Sequence, residues 1–395
     1  MIKVKYLRHP VRTLNAASTL VKARLAILSS AADGRSRYKK DPRYDLQNVT
    51  SGFASRLDFS ADDSELILRI CDAYIKSVQH SQVASEVYKA TAWWSEIRSR
   101  SLQPVIQALM SRDIGALRRM YQNFFRDSCS TGLVSVPYGM SKAYFGKKIK
   151  DINRHFYLSD SLRRLDYWSS MTQGRFNICA LSDSKIGNPF GICLNDTFIR
   201  SGAPYQHYCS HRVSSVIGSN KHVVAEIGGG FGGMAYYLLR DRNVTYIDFD
   251  VPESIALISY YLLKAFPHLQ VRLFGEASCA HPMTDRADVY LMPLSELPSM
   301  PTESVDIVFS SHAMSDLSRK ALQSYLHTIE RITRDSFLYI GNISTADVIN
   351  ETILRDYPLA KPVQTSHSRW NDHTGLSEFA NEVECLYRFK TGSNK

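Results

Sequence analysis

The chain has 395 residues, 44% apolar and 22% charged, a composition that suits a folded globular protein and excludes a disordered or collagen-like one. No apolar run approaches the ~18 residues that cross a bilayer, and the most lipophilic stretch, Ile255 to Phe266, is broken by Ser259 and Lys264. Seven scattered cysteines, never spaced as CxxC, argue against a disulfide framework or a thiolate zinc site and fit a reducing cytoplasm.

The net charge of +10 is concentrated at the start of the chain. Residues 1–45 hold eleven Lys/Arg and three Asp, a net of +8, which leaves +2 for everything after Asp45. A body so close to neutral argues against a nucleic-acid partner, which calls for a basic face interleaved with aromatics. Within this segment, Arg12 to Ser30 is rich in Arg, Ala, Ser and Leu, with Leu14, Leu20 and Leu25 at helical spacing. It reads as a solvated or packed helix, as a peripheral anchor on the anionic inner face of a membrane, or as a transit segment.

From Ser60 to Cys129 the spacing predicts helices. Ser60, Asp62 and Asp63 resemble a capped start, Leu66, Ile70 and Tyr74 recur every four residues, and Val105, Leu109, Leu117 and Tyr121 carry a second run. Trp93 and Trp94 are expected to serve packing. Between Ser130 and Ser219 the signals turn irregular, and GLVSVPYG near Gly132, GNPFG at 187–191 and SGAPYQHY at 201–208 read as loops that could form part of a substrate wall. The division expected is a basic segment at 1–45, a mainly helical domain with connecting loops at 46–200, and a cofactor-binding domain at 201–395.

From His222 onward strands and helices alternate. Strands are predicted at Val223 to Ile227, Val244 to Phe249, Val271 to Phe274, Val305 to Ser310 and Phe337 to Ile340, and helices at Met234 to Arg240, Glu253 to Ala265 and Arg319 to Ile332. Strand, crossover helix, strand implies an α/β fold with a mostly parallel sheet. Val383 to Lys390 would close it as an antiparallel edge strand at the C-terminus.

The sharpest signal is the turn between the first two of these strands. Glycines at 228, 229, 230, 232 and 233 let the backbone approach a ligand while the next helix presents free N–H groups. Gly228, Gly230 and Gly233 satisfy GxGxxG, a weak match by itself. Glu226 precedes the glycines, where a carboxylate can meet a cationic amino-acid group, and Asp250 follows the second strand 24 residues later, where it can accept from both ribose hydroxyls. Asp248 competes for the ribose role. Acids at both places suit S-adenosylmethionine, which has an ammonium and a ribose but no phosphate, whereas Glu226 would repel the pyrophosphate of NAD.

The runs EIGGGFGGMAYYLL at 226–239, DVPESIALISYYL at 250–262 and DIVFSSHAMSDLS at 306–318 resemble a bacterial family described as sugar O-methyltransferases, built on the Rossmann-like class I S-adenosylmethionine fold. GNPFG and ECLYRFK resemble that family's flanks, and the likeness covers most of residues 110–390. It implies S-adenosylmethionine held by Glu226, Gly228, Gly230, Gly232 and Asp250, with Ser295 and Ser310 as further contacts, Ser295 lying where such enzymes meet adenine. It also implies a sugar, nucleotide-sugar or glycan acceptor and a place in polysaccharide biosynthesis.

In an open parallel sheet the reacting groups lie beyond the carboxyl ends of the strands. His312 is therefore the candidate base and Asp316 its orienter, with His211, His367 and His373 in reserve. Asp248 and Asp250 form DFD but are better placed for ribose, and no HxH or HExxH pair stands near this site, which disfavours a metal. Rival readings are a methyltransferase acting on a phenolic or natural-product hydroxyl or on nitrogen, an NAD-dependent oxidoreductase, and a non-catalytic scaffold that keeps the cofactor pocket. A homo-oligomer is compatible with any of them.

Overall fold

A computed structural model describes residue 25 and residues 27–58, 62–134, 151–220, 222–277, 287–315, 317–357, 360–370 and 381–389. Helices α1 (Leu46–Gly52), α2 (Ser64–Val83), α3 (Ala92–Ile97), α4 (Gln103–Ser111), α5 (Ile114–Tyr121) and α6 (Asp151–Met171) precede a hairpin of β1 (Gly191–Leu194) and β2 (Thr197–Arg200) and helix α7 (Ala203–Ile217). The α/β part then runs β3 (His222–Ile227), α8 (Gly233–Asp241), β4 (Val244–Asp250), α9 (Pro252–Ala265), β5 (Val271–Leu273), β6 (Val289–Pro293), β7 (Val305–Ser311), α10 (Arg319–Ile332), β8 (Thr333–Asn342), α11 (Ile343–Asp356), β9 (Lys361–Ser368) and β10 (Glu382–Arg388).

These strands form one eight-stranded sheet in the order β5-β6-β4-β3-β7-β8-β10-β9. All pairs are parallel except those of β10, which runs antiparallel to β8 and to β9. The expected doubly wound, mostly parallel sheet with antiparallel strands at its C-terminal side is thus present. β10 is the antiparallel strand foreseen from Val383 onward, but it is interior, and β9 lies outside it as the edge. The largely exposed sequence KPVQTSHS of β9 has no apolar alternation to betray it.

Successive side chains of a strand face opposite ways, so β3 and β4 feed two cores. Val224 and Tyr246 join the cluster covered by α7, α8, α9 and the N-terminal helices, while Val223, Ala225, Ile227, Ile247 and Phe249 join the one covered by α10 and α11. The N-terminal helices share the first cluster without a break. Asp63 accepts from Tyr260 Oη at 2.8 Å and from Lys264 Nζ at 2.9 Å, fastening α2 to α9.

The stretch expected to be loops contains two long helices. In α6, Tyr157, Leu158, Leu162, Leu165 and Trp168 are buried at helical spacing among many polar residues, which hid the stripe. SGAPYQHY is the start of α7: Gly202, at φ 85°, ends the preceding turn, and Pro204 sits in the first helical turn, where its missing N–H costs nothing.

Candidate functional site

The chain order reverses at β3: it winds outward through β4 to β5 at the edge, returns to β6 between them, then crosses to β7 on the other flank. A crevice at such a switch point, outside the carboxyl ends of β3 and β7, is where open α/β sheets bind ligands. Both halves of the expected site project into it. Gly228 and Gly230 take φ values of 82° and 62°, in the left-handed region that costs a side-chain-bearing residue about 1 kcal/mol or more. A Cβ on Gly228 would lie 2.0 Å from the Cβ of Ala313, beyond β7, and one on Gly230 would lie 3.0 Å from the carbonyl oxygen of Leu133. The turn is therefore held between the β7–α10 connection and the N-terminal layer. Gly232 caps the N-terminus of α8.

Three carboxylates surround this turn on one face of the sheet. Glu226, on β3, pairs in register with Asp248 on β4, and Asp250 stands two residues further along the same face. Glu226 Oε2 accepts from Tyr246 Oη at 2.6 Å. Asp248 Oδ1 accepts from Gly229 N at 3.0 Å, while its buried Oδ2 has no donor among the described residues. Asp250 accepts from Gly230 N at 3.0 Å, Val251 N at 2.7 Å and the Ser254 hydroxyl. Loss of hydration pushes the Glu226 carboxyl up to about 8, opposed by the Tyr246 hydrogen bond and reinforced by Asp250. Burial raises Asp250 to about 6 and Asp248 well above the ordinary range, the latter with added repulsion from its two neighbours.

Four other buried acids are treated differently. Asp183 pairs with Arg200 at 2.6 Å, Glu384 with Arg212 at 2.6 Å, Asp63 with Lys264 at 2.9 Å and Glu253 with Arg98 at 3.0 Å. Among the described residues no Lys or Arg pairs with Glu226, Asp248 or Asp250. Acids buried at the rim of a glycine turn with no counter-ion among the described residues leave room for a cationic ligand.

On the other side of the switch point, His312 adopts φ 62°, an uncommon left-handed conformation that its N–H bond to Ile340 O at 2.9 Å helps to hold. Its Nε2 lies 3.7 Å from Oε1 of fully buried Glu382 and 3.4 Å from Tyr205 Oη, which also shares a 2.6 Å hydrogen bond with Ser311 Oγ. Packing of protein around the ring lowers the imidazole to about 4, although 35% of the side chain is exposed, so it is neutral at pH 7 and its Nε2 is unprotonated or free to change tautomer. Tyr205 in turn meets Trp370 edge-on at 5.3 Å, and Trp370 meets Tyr167 at 4.8 Å, placing aromatic faces beside the polar group.

Asp316, the expected orienter of His312, and His373 lie outside the described residues. Glu382 supplies a carboxylate instead; it is seventy positions downstream and reaches the histidine only through the antiparallel return of β10 beside β8. Tyr205 was hidden by reading α7 as a loop. Ser310 is not turned to the crevice: its hydroxyl donates to Ile227 O at 3.0 Å and ties β7 to β3 beneath the turn. Ser295 Oγ is bonded to His80 Nδ1 at 2.8 Å, and the neighbouring Glu296 lies 3.3 Å from Nε2 of the same ring, so an N-terminal helix holds this edge. His211 packs edge-on against Phe176 at 5.1 Å, and His367 is exposed on β9; neither joins His312.

No family model matches the sequence, and no curated protein does. Among solved structures, a magnesium protoporphyrin IX methyltransferase from Synechocystis with bound S-adenosylmethionine is similar at 10% identity, covering 59% of this chain and 97% of that one with a TM-score of 0.34. A precorrin-6y C5,15-methyltransferase from Geobacter metallireducens is similar at 13% identity, covering 47% and 88% with a TM-score of 0.32. The fold assignment rests on the strand order and its switch point rather than on these likenesses.

Proposed function

We propose that the protein is an S-adenosylmethionine-dependent methyltransferase whose acceptor is a hydroxyl of a sugar, nucleotide-sugar or glycan. The observation that carries the cofactor is the trio Glu226, Asp248 and Asp250, buried around a glycine turn with no cationic partner among the described residues. A ligand bearing positive charge and a ribose fits that donor set, and a pyrophosphate does not. Glu226 would take the amino-acid end, Asp250 the ribose hydroxyls, and the backbone of Gly228 to Gly230 would allow close approach. Bound there, the cofactor supplies an electrophilic methyl on sulfur; the chain's own residues align the acceptor and take its proton.

His312 is the group assigned to that proton, at Nε2, with Glu382 steadying the imidazolium that results and Tyr205 fixing the ring. Polar side chains beside the half-buried ring of Tyr205, which the buried Trp370 backs, favour a sugar over a flat apolar acceptor, which would ask for an aliphatic lining. Equilibrium dialysis with labelled S-adenosylmethionine, followed by turnover against a panel of nucleotide-sugars and phenols, tests both parts. Absence of cofactor binding removes the whole reading. Binding with methylation of phenols alone removes only the sugar.

A further inference from the structure

The N-terminal segment carries a surface that the proposed chemistry does not use. Leu25 and residues 27–37 are helical. One stripe of this helix, Ala31, Gly34 and then Tyr38, is buried against α6: a Cβ on Gly34 would lie 1.7 Å from Ser159 Oγ, Tyr38 Oη donates to Asp166 at 2.8 Å, and Arg163 pairs with Asp33. The adjacent stripe, Leu25, Leu28, Ala32 and Arg35 at i, i+3, i+7 and i+10, faces solvent, with Leu25 60% and Leu28 49% exposed.

Arg37 ends the helix on its other side, Lys39 and Lys40 follow in the turn beyond it, and all four basic side chains are exposed. The nearby acids are engaged by other cations: Asp33 by Arg163, Asp41 and Asp166 by Arg43, and Asp160 by Arg164. None of Arg35, Arg37, Lys39 and Lys40 is ion-paired among the described residues. The patch therefore keeps its positive charge. Exposed leucines next to unpaired basic groups match the two layers of an anionic bilayer surface, acyl boundary and headgroup phosphate. Nucleic acid would call for exposed rings, and among the described residues of this segment the tyrosines, Tyr38 and Tyr44, stack on each other at 5.9 Å, with Tyr38 buried.

We propose that this face docks peripherally on an anionic lipid bilayer, with Leu25 and Leu28 entering the interfacial layer and Arg35, Arg37, Lys39 and Lys40 meeting headgroup phosphates. The test is co-sedimentation of the full chain with vesicles of phosphatidylcholine alone or mixed with phosphatidylglycerol. Binding to the mixed vesicles only, weakening as salt is raised, is expected. Reversing three charges in R35E/K39E/K40E should lower partitioning about a hundredfold, at roughly fivefold per basic residue near the surface, and L25S/L28S about tenfold. Both variants replace exposed side chains, so their circular dichroism and melting temperature serve as folding controls. Equal binding to neutral vesicles, or full binding by both folded variants, overturns the proposal. So does displacement from vesicles by inorganic phosphate beyond that caused by chloride of equal ionic strength, or tighter binding of an oligonucleotide lost in the same variants.

Discussion

Glu226→Gln should make the ligand-free protein more stable at alkaline pH while weakening its hold on the cofactor. The native carboxyl titrates at about 8 against an ordinary 4.5, so folding binds a proton that the unfolded chain has released between those values. Stability is therefore lost as pH rises through that window, by a maximum of about 5 kcal/mol at 1.36 kcal/mol for each pH unit of displacement. About 4 kcal/mol of this falls between pH 5 and pH 9. Glutamine keeps an oxygen to accept from Tyr246, lacks the charge, and should abolish most of that dependence. Urea unfolding of both proteins at pH 5 and pH 9 measures it: the wild type should lose stability over the interval and the variant clearly less, keeping only the share due to Asp248 and Asp250, which burial also raises. Equal slopes for the two would mean that the Glu226 charge is solvated or paired in solution, and the cation argument would fail with it. Calorimetry adds the functional half. At pH 7 cofactor binding to the wild type should release a proton, seen as a buffer-dependent enthalpy, and binding to the variant should be weaker with less release.

His312→Ala should remove turnover while leaving cofactor affinity within about twofold, and the wild-type rate should show its acid limb near pH 4, where burial has moved the imidazole; a limb at the ordinary imidazole value would mean that Glu382, at 3.7 Å, governs the ring instead. Gly228→Ala forces a side chain into the left-handed region and against Ala313, so cofactor binding should be lost and the melting temperature lowered, as differential scanning calorimetry with and without S-adenosylmethionine would show. Arg98→Ala strands Glu253, which also accepts from Tyr74 at 3.1 Å; since breaking a buried pair costs about 3–5 kcal/mol, denaturant unfolding should report a loss of several kcal/mol. An effect below about 1 kcal/mol would show that Tyr74, with Trp94 Nε1 at 3.5 Å, satisfies the carboxylate.

What could be read from the sequence follows the range of the interactions involved. The glycine turn with its two acids lies within one strand–turn–helix–strand unit, so a local pattern places Glu226, the turn and Asp250 together, and the parallel sheet follows from the same alternation. The partner of His312 does not. Glu382 meets it by way of an antiparallel register between β10 and β8, which no spacing rule conveys from one chain alone. Tyr205 was lost for a nearer reason: Gly, Pro and Ser at 201–204 signal a loop by composition, yet Gly202 and Pro204 are where a helix starts. Ser310 shows the opposite error, since a strand-end serine can turn its hydroxyl to the neighbouring backbone, and position along the chain does not say which.

The treatment of buried charge within this one molecule is what separates a cofactor site from structural acids. Asp183, Glu384, Asp63 and Glu253 are as deeply buried as Glu226 and Asp248, and each has been given an arginine or lysine. Where these four acids each meet a cation and the acids of the glycine turn meet none among the described residues, the turn carries a cost that reappears as stability only when a cationic ligand binds. The same reasoning separates candidate ligands. A pyrophosphate would add charge of the sign already in excess, so an oxidoreductase reading needs Glu226 and Asp248 to stay protonated throughout, whereas a cation bearing a ribose draws on all three acids at once. Cofactor affinity that rises with pH up to about 8 is the signature of the second case and not of the first.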